Sequence, residues 1–173
     1  MRGLQTALFC LPALLLAGCA GYHLGPVNAD AGAAGSKSVE VVPFNNQTLQ
    51  PRLGDAVTQA LRERLQADGT YRLSTRPAGD IVLTGVITDY NRNAASYLGT
   101  DVATAVNFRE EITVRVTALD SATGRKLLNN VAVHGYTLVE SGTDLPDAER
   151  QALPLLAEDL ARNTVQLLAE GAW

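Results

Sequence analysis

The sequence from residue 39 onward predicts an α+β fold in which one layer of two helices packs on one sheet. Apolar residues recur at helical spacing from Leu53 to Leu65 and again from Leu153 to Leu168. The segments between these two stretches are rich in β-branched residues, which favour strands. No internal repeat divides them, so we expect a single domain over residues 39–173.

The first strand and the first helix follow one another closely. Residues 39–44, VEVVPF, predict a short strand that ends near Pro43, because proline cannot donate to a β-ladder. The polar stretch NNQTLQP predicts a turn, and Pro51 suits the start of a helix. We expect that helix to run from Arg52 to Gly69, where glycine favours a helix end.

Two strand candidates follow the first helix. Tyr71–Thr75 is the shorter one. Residues 80–91, DIVLTGVITDYN, are apolar on both sides of the pleat as far as Thr88, which predicts an interior strand covered on both faces. Gly85 within it indicates a bulge or the close approach of another group.

The second half of the chain predicts a hairpin and a closing helix. Apolar and polar residues alternate over residues 108–119, as in a strand with one exposed face. Residues 120–124, DSATG, predict a turn, and residues 126–139 are expected to return as the partner strand. The closing helix is expected to begin near Asp147, with Pro154 kinking it and offsetting its first turn.

Residues 92–107, RNAASYLGTDVATAVN, predict a long loop between two strands. Loops of this length are uncommon unless they are functional or disordered. Two interpretations are open. Either Tyr97 and Leu98 contact a partner or ligand, or the segment is the mobile end of a hairpin.

The first 18 residues have the pattern of a bacterial signal peptide. Arg2 gives a basic start, residues 4–16 are apolar, and two small residues precede Cys19. The apolar stretch is shorter than the roughly 20 residues that a membrane-spanning helix needs. The tetrapeptide LAGC resembles the lipobox of bacterial lipoproteins, in which the cysteine is acylated and becomes the first mature residue.

Cys19 is therefore predicted to attach the protein to a membrane through acyl chains. The alternative is an ordinary signal peptide that leaves a free thiol, which is prone to oxidation in an oxidising compartment. Cys10 lies in the discarded segment, so no disulfide or cysteine nucleophile is expected in the mature domain. Residues 19–38, rich in Gly and Ala, predict a flexible tether.

Charge and composition exclude several classes of function. The formal net charge is −4, and without Arg2 it becomes −5, because 13 basic residues then face 18 acidic ones. Nucleic-acid binding needs clustered positive charge, so no nucleic-acid partner is expected.

The sequence also lacks the residues of a catalytic centre. His23 falls in the tether and His134 in a strand, and no catalytic or metal-binding motif surrounds either of them. Glu110 and Glu111 are neighbours in a strand, so they point to opposite faces and cannot act together as acid and base. We therefore expect no enzymatic activity, no metal and no cofactor.

Several stretches together resemble the LptE family of lipopolysaccharide-assembly lipoproteins. They are LAGCAGYHLG, VEVVPFNNQTLQPRLGDAVTQALRERL, DIVLTGVITDYNRNAASY and AERQALPLLAEDLARNTVQLL, and in this order they cover nearly all of the mature chain. The resemblance implies two helices packed on one face of a roughly four-stranded, mostly antiparallel sheet.

The resemblance also implies a location and a role. Such a protein would be anchored in the outer membrane at Cys19 and would face the periplasm, in keeping with Ala20 after the cysteine. It would plug the lumen of the LptD β-barrel, help that barrel assemble, and contact lipopolysaccharide.

Lipopolysaccharide carries phosphates, so basic residues near the predicted loops are the candidate contacts. These are Arg92, Arg109, Arg125 and Lys126. Charges at strand edges also serve solubility, and that simpler interpretation stays open. A second functional interpretation is a periplasmic activator or scaffold lipoprotein that binds another envelope enzyme or a secretion pore.

Overall fold

The computed structural model of the protein describes residues 37–99, 101–140 and 145–171. The predicted signal peptide, the lipobox with Cys19 and the tether up to residue 36 lie outside the described residues. In chain order the strands are β1 (Ser38–Val41), β2 (Asn45–Asn46), β3 (Arg72–Leu73), β4 (Ile81–Leu98), β5 (Asp101–Asp120) and β6 (Lys126–Glu140). The helices are α1 (Leu53–Asp68), between β2 and β3, and α2 (Leu145–Gly171), after β6.

In the described part of the chain the strands form one mixed sheet of six strands. Its order is β3-β1-β4-β5-β6, and β2 pairs with β4 beyond the end of β1. β1 and β2 run parallel to β4, because α1 carries the chain back between them. The β4–β5 and β5–β6 ladders are antiparallel.

The predicted α+β class with two helices is confirmed. The predicted sheet of four mostly antiparallel strands is only partly correct, because β1, β2 and β3 pair in parallel. β3 lies within the predicted strand Tyr71–Thr75, whereas β2, with two residues, is too short to show a period in the sequence.

The core lies between the sheet and the two helices. α1 turns one apolar stripe inward, β5 buries every second residue from Ile112 to Ala118, and α2 covers both with a second stripe. The helix residues in these stripes are Leu53, Val57, Leu61 and Leu65 of α1 and Leu156, Leu160, Val165 and Leu168 of α2. The two helical periods and the alternation of β5 were therefore correctly predicted.

Gly85 in β4 allows the ring of Phe44 to pack directly on the strand. A Cβ atom at this position would lie 2.1 Å from the Cε1 atom of Phe44. The predicted close approach is confirmed, whereas the irregularity in the ladder lies further along, at Thr88. The prediction that β4 is covered on both faces is wrong: Val82 and Val86 are only half-buried, because both helices pack on the opposite face.

Two turn glycines adopt the left-handed conformation that their positions require. Gly69 has a φ of 76° and ends α1, and Gly124 has a φ of 69° in the β5–β6 turn. Both were predicted. α2 begins at Leu145, two residues before the predicted start at Asp147, and runs to Gly171 with Pro154 inside it. The kink expected at Pro154 stays a prediction.

Two carboxylates fix the start of β1. Asp80 accepts hydrogen bonds from the backbone N–H of Ser38 at 2.7 Å and from its hydroxyl at 2.8 Å, and these bonds lower the pKa of Asp80. Asp120 accepts a hydrogen bond from the backbone N–H of Thr123 at 3.0 Å and lies 3.3 Å from the Lys37 Nζ atom. The bonds from Thr123 and then Lys37 lower the pKa of Asp120 to about 2.

Gly135 in β6 provides a test of the helix–sheet packing. A Cβ atom there would lie 2.8 Å from the backbone nitrogen of Leu160. We expect Gly135→Ala to lower the free energy of unfolding by about 1–3 kcal/mol, because α2 must move off the sheet. Urea denaturation measures the change. In the control Gly99→Ala the added Cβ meets nothing within 4 Å, and a loss as large as that of Gly135→Ala would contradict this account.

Candidate functional site: the open sheet face and the hairpin arm

No described helix packs on one face of the sheet. Even-numbered residues of β5 from 110 to 120 are buried, whereas the odd-numbered ones are half-buried or exposed. On β6, Tyr136 is 50% exposed and Leu138 is 62% exposed. Their cross-strand partners are Glu111 and Arg109, so all four lie on the helix-free side. We call the surface formed by Arg109, Glu111, Tyr136 and Leu138 the open face.

Arg109 is the principal cation of the open face. Its guanidinium lies 4.1 Å from the ring centroid of Tyr136, and its Nε atom lies 3.8 Å from Oε2 of Glu111. A cation over an exposed aromatic ring contributes about 0.5–1 kcal/mol. The Arg109 side chain stays 47% exposed, so an anion in solution can reach it. The open face therefore presents a cation next to an aromatic ring and a leucine.

β4 and β5 extend beyond the rest of the sheet as a two-stranded hairpin. Glu140, the last residue of β6, pairs with Asn107. Nearer the turn, Tyr97 pairs with Ala105 and Leu98 with Asp101, and no third strand of the described chain joins them. We call residues 96–106 the arm.

The prediction of a loop over residues 92–107 is therefore wrong. Residues 92–98 and 101–107 are strand, joined by a short turn that includes Gly99. Alanine, threonine and asparagine in this stretch give no apolar period, yet a ladder needs only backbone hydrogen bonds. Register shifts after Ala94 show that the pairing is irregular towards the tip.

The four basic residues predicted to contact phosphate do not form one site. Arg92 lies opposite Glu110 and faces the helices, where it pairs with Glu149 and stands 5.3 Å from the ring centroid of Phe108. Arg109 faces the other side of the sheet.

The other two predicted basic residues are far from this pair. Arg125 and Lys126 follow Asp120, the last residue of β5, whereas Arg109 lies near the middle of that strand. Arg109 and Asp120 are eleven positions apart, which is roughly 35 Å at about 3.3 Å per residue. A single phosphate-binding cluster of these residues is thus excluded by the topology.

Of the two predicted partner contacts, Tyr97 is 52% exposed in the arm. The side chain of Leu98 lies outside the described residues. Tyr97 is therefore accessible to a partner, as the sequence hypothesis requires. The lipidation site, Cys19, also lies outside the described residues.

Glu110 is a residue that the sequence analysis did not recognise as buried. Its side chain is fully buried, and neither carboxylate oxygen has a hydrogen-bond partner in the described chain. Burial raises the pKa of Glu110, and the nearby Tyr90 hydroxyl and Arg92 only partly offset it. Burial and the Glu110 charge in turn raise the pKa of Tyr90 to about 12. Its position in the sequence could have indicated burial, because Glu110 continues the stripe of even-numbered buried residues to which Ile112 belongs.

A groove of about 400 Å³ lies beside β4 where β2 ends. Residues 47–50 and 88–90 line it. Hydrogen bonds hold the loop wall: Asn46 Oδ1 accepts from the backbone N–H of Thr48 at 3.0 Å, and Asn46 Nδ2 donates to the Gln50 carbonyl at 2.8 Å. The groove therefore has one wall of strand and one of ordered loop.

Two further classes of site were sought in the described part of the chain. No group of three or more His, Cys, Asp or Glu side chains there is arranged to hold a metal ion. None of the helices described has both the length and the apolar character to span a membrane.

The fold and the site define the class of protein. It is a two-layer α+β domain that exposes one sheet face, with a cation beside an aromatic ring, and a projecting β-hairpin. Residues 36–168 match the model of the LptE family, described as lipopolysaccharide-assembly. The chain belongs to this family, as the sequence resemblance predicted.

Solved structures that are similar to this chain include two other lipoproteins. Rare lipoprotein B from Shewanella oneidensis is 12% identical, with a TM-score of 0.49, covering 77% of this chain and 96% of that one. A minor lipoprotein from Acinetobacter baumannii is 16% identical, with a TM-score of 0.49, covering 78% and 94%. The PelC dodecamer from Paraburkholderia phytofirmans is 18% identical, with a TM-score of 0.43, covering 80% and 94%. No curated protein sequence matches the chain.

Glu110 generates a prediction about pH. A folded-state pKa above the unfolded one means that Glu110 opposes folding increasingly as the pH rises above its unfolded pKa, about 4.3. We expect Glu110→Gln to raise the free energy of unfolding at pH 7–8, with a gain that shrinks towards pH 4. Urea denaturation across this pH range measures it. Glu111→Gln, on the open face, is the control, and a gain from Glu110→Gln that does not vary with pH would contradict the burial of a charge.

Proposed function

We propose that this protein is an outer-membrane lipoprotein of lipopolysaccharide transport that plugs an LptD β-barrel and helps it assemble. The family match over residues 36–168 carries the proposal. In this role the domain faces the periplasmic side, works by binding, and catalyses no reaction.

The exposed parts of the domain support a role in binding a large partner. The open face and the arm are broad surfaces, and they expose Tyr97, Tyr136 and Leu138. Aromatic residues and arginine are enriched where proteins contact one another. In the proposed complex Tyr97 and Leu98 of the arm contact the barrel wall.

The open face is also the best place for a lipopolysaccharide contact. Lipopolysaccharide is an anionic amphiphile, and Arg109 offers a cation beside the apolar surfaces of Tyr136 and Leu138. Arg92 has its charge engaged by Glu149, and the two basic residues of the β5–β6 turn lie at the other end of the sheet. Of the four candidates, Arg109 is therefore the proposed contact.

Co-purification tests the barrel role. Membranes that contain the full-length protein with an affinity tag, extracted in a mild detergent, should yield a stoichiometric complex with a large β-barrel. Mass spectrometry identifies the partner, and light scattering gives the stoichiometry. Recovery of a peptidoglycan synthase, or of a ring of identical subunits in place of a barrel, would refute the proposal.

Cys19→Ser tests the membrane anchor. We expect the variant to lose its acyl groups and to leave the membrane fraction, because three acyl chains no longer hold it. Intact-mass measurement and membrane fractionation report the two effects. Cys10→Ser, the same exchange within the predicted signal peptide, is the control. An acylated or still membrane-bound Cys19→Ser protein would disprove attachment at this residue.

Arg109→Glu tests the lipopolysaccharide contact. We expect it to weaken binding of purified lipopolysaccharide about tenfold, which corresponds to roughly 1.4 kcal/mol, because it replaces a cation by an anion beside the apolar side chains. Titration with fluorescently labelled lipopolysaccharide measures the affinity. Arg125→Glu makes the same change of charge at the far end of the sheet and should retain the wild-type affinity. Equal losses in both variants would show only a response to net charge.

A further inference from the structure

The two outer edges of the sheet differ in how their backbone groups are used. At the β6 edge, side chains of α2 occupy these groups: the backbone N–H of Tyr136 donates to Asp159 Oδ2 at 3.0 Å, and Asn163 Nδ2 donates to the His134 carbonyl at 2.9 Å. Asp159 is held in place by an ion pair with Arg162. An added strand would need the same backbone groups, so α2 closes this edge.

At the opposite edge, β1 and β2 cover only the first half of β4. The carbonyl of Leu83 accepts a hydrogen bond from Val42 at 3.0 Å, and that of Ile87 accepts one from Gln47 at 3.0 Å. These bonds show that Leu83 and Ile87 point their backbone groups away from β5, as every second residue of β4 does in this part of the strand. Beyond Gln47 no strand in the described ranges pairs with this edge.

The direction of the remaining backbone groups follows from the register. Ile87 pairs with an even-numbered residue of β5, and past the shift at Thr88 the residues that pair with even-numbered positions are Tyr90, Arg92 and Ala94. Backbone direction alternates along a strand, so the N–H and C=O groups of these three residues also point away from β5. Within the described ranges they form a row of backbone donors and acceptors that no strand pairs, on an open edge.

The row lacks the proline and lysine residues that commonly protect a sheet edge, and the irregularities of β4 lie on either side of it, at Thr88 and after Ala94. Residues 91–95 are exposed, and β4 contains neither proline nor lysine between Asp89 and Leu98. Arg92 is the one basic side chain in this stretch, and Glu149 draws it to the helix side of the sheet. The protein therefore closes one edge of its sheet with α2 and leaves the other able to accept a strand.

We propose that the open edge of β4 at Tyr90, Arg92 and Ala94 binds one extended segment of the barrel partner as an added β-strand. This inference rests on the proposed function. A row of alternating N–H and C=O groups is best satisfied by another backbone. The partner therefore contributes a stretch of chain in extended conformation.

The groove beside β4 indicates what kind of strand fits. Residues 47–50 form the wall opposite residues 88–90, so a strand placed there has a loop on its far side. A second copy of this chain would bring its own β5 to that side, where the loop already lies. A single segment with a free outer edge fits, and the fully exposed Leu49 at the rim offers it an apolar contact.

A pair of proline substitutions tests the proposal in the full-length lipoprotein. Ala94→Pro removes an N–H that points away from β5, so the β4–β5 ladder keeps its hydrogen bonds. Ala132→Pro makes the same change at an exposed position of β6, two residues before His134, whose carbonyl also points outward. We expect Ala94→Pro to reduce barrel recovery at least about tenfold and Ala132→Pro to leave it unchanged.

Amide hydrogen exchange of the wild-type protein gives a second measurement that does not depend on how the variants fold. With residue-level detection, the amides of Tyr90, Arg92 and Ala94 should exchange at least about tenfold more slowly in the barrel complex than in the free protein. A complex that forms while these amides stay unprotected, and that Ala94→Pro leaves intact, would overturn this inference but not the barrel role.

The remaining outcomes are also decisive. If the wild-type protein recovers no barrel, the proposed function is refuted, and so is the proposal that a segment of the barrel pairs with the edge of β4. Protection of the three amides in the free protein that grows with protein concentration would assign the edge to a second copy. Protection at every concentration would assign it to residues of the same chain, and either result would overturn the proposal.

Discussion

The difference in rise per residue between helix and strand determines how much of the sheet the two helices can cover. A strand advances about 3.3 Å per residue and a helix about 1.5 Å. The 20 residues of β5 therefore extend roughly 65 Å, whereas the 27 residues of α2 extend roughly 40 Å and the 16 of α1 roughly 24 Å. Since both helices lie on one face and are shorter than the long strands, one face of the sheet and one end of its central hairpin have to remain uncovered.

A buried charge lies where the hairpin of β4 and β5 emerges from beneath α2. Glu110 is buried there, and the Tyr90 hydroxyl and Arg92 offset its burial only in part. The guanidinium of Arg92, directly across the ladder, pairs with Glu149 on α2. Two carboxylates thus compete for one cation at the junction of the hairpin and the helix. A buried acid whose charge is only partly compensated opposes folding.

The sequence was informative wherever burial imposes a period. The stripes of α1 and α2 and the alternation of β5 follow directly from which residues must leave water. β2 and the arm escaped prediction because backbone pairing holds them, and backbone pairing leaves no period in the side chains, whereas β3 falls within the predicted strand Tyr71–Thr75.

The pairing register between β4 and β5 also could not be predicted from the sequence. Arg92 and Arg109 were both candidate phosphate contacts, and the ladder places Arg92 opposite Glu110 on the helix side and Arg109 on the open side. One extra residue in β4, at Thr88, changes which residues of β4 face the helices, and no local sequence pattern predicts it. Glu110 was assigned to a face correctly, but only the position of α2 above that face shows how deeply it is buried.

The position of the first described residues has a mechanical consequence. The first described residue, Lys37, lies beside Asp120, at the end of β5 that is far from the β4–β5 turn. β1 lies between β3 and β4, and Asp80 binds both the N–H and the hydroxyl of Ser38. A pull on this end along the strand would load the hydrogen bonds on both sides of β1 in shear, all at once rather than one after another. If the proposed lipid anchor pulls at this end, β1 carries the tension, whereas the arm at the far end of β4 and β5 bears none of it.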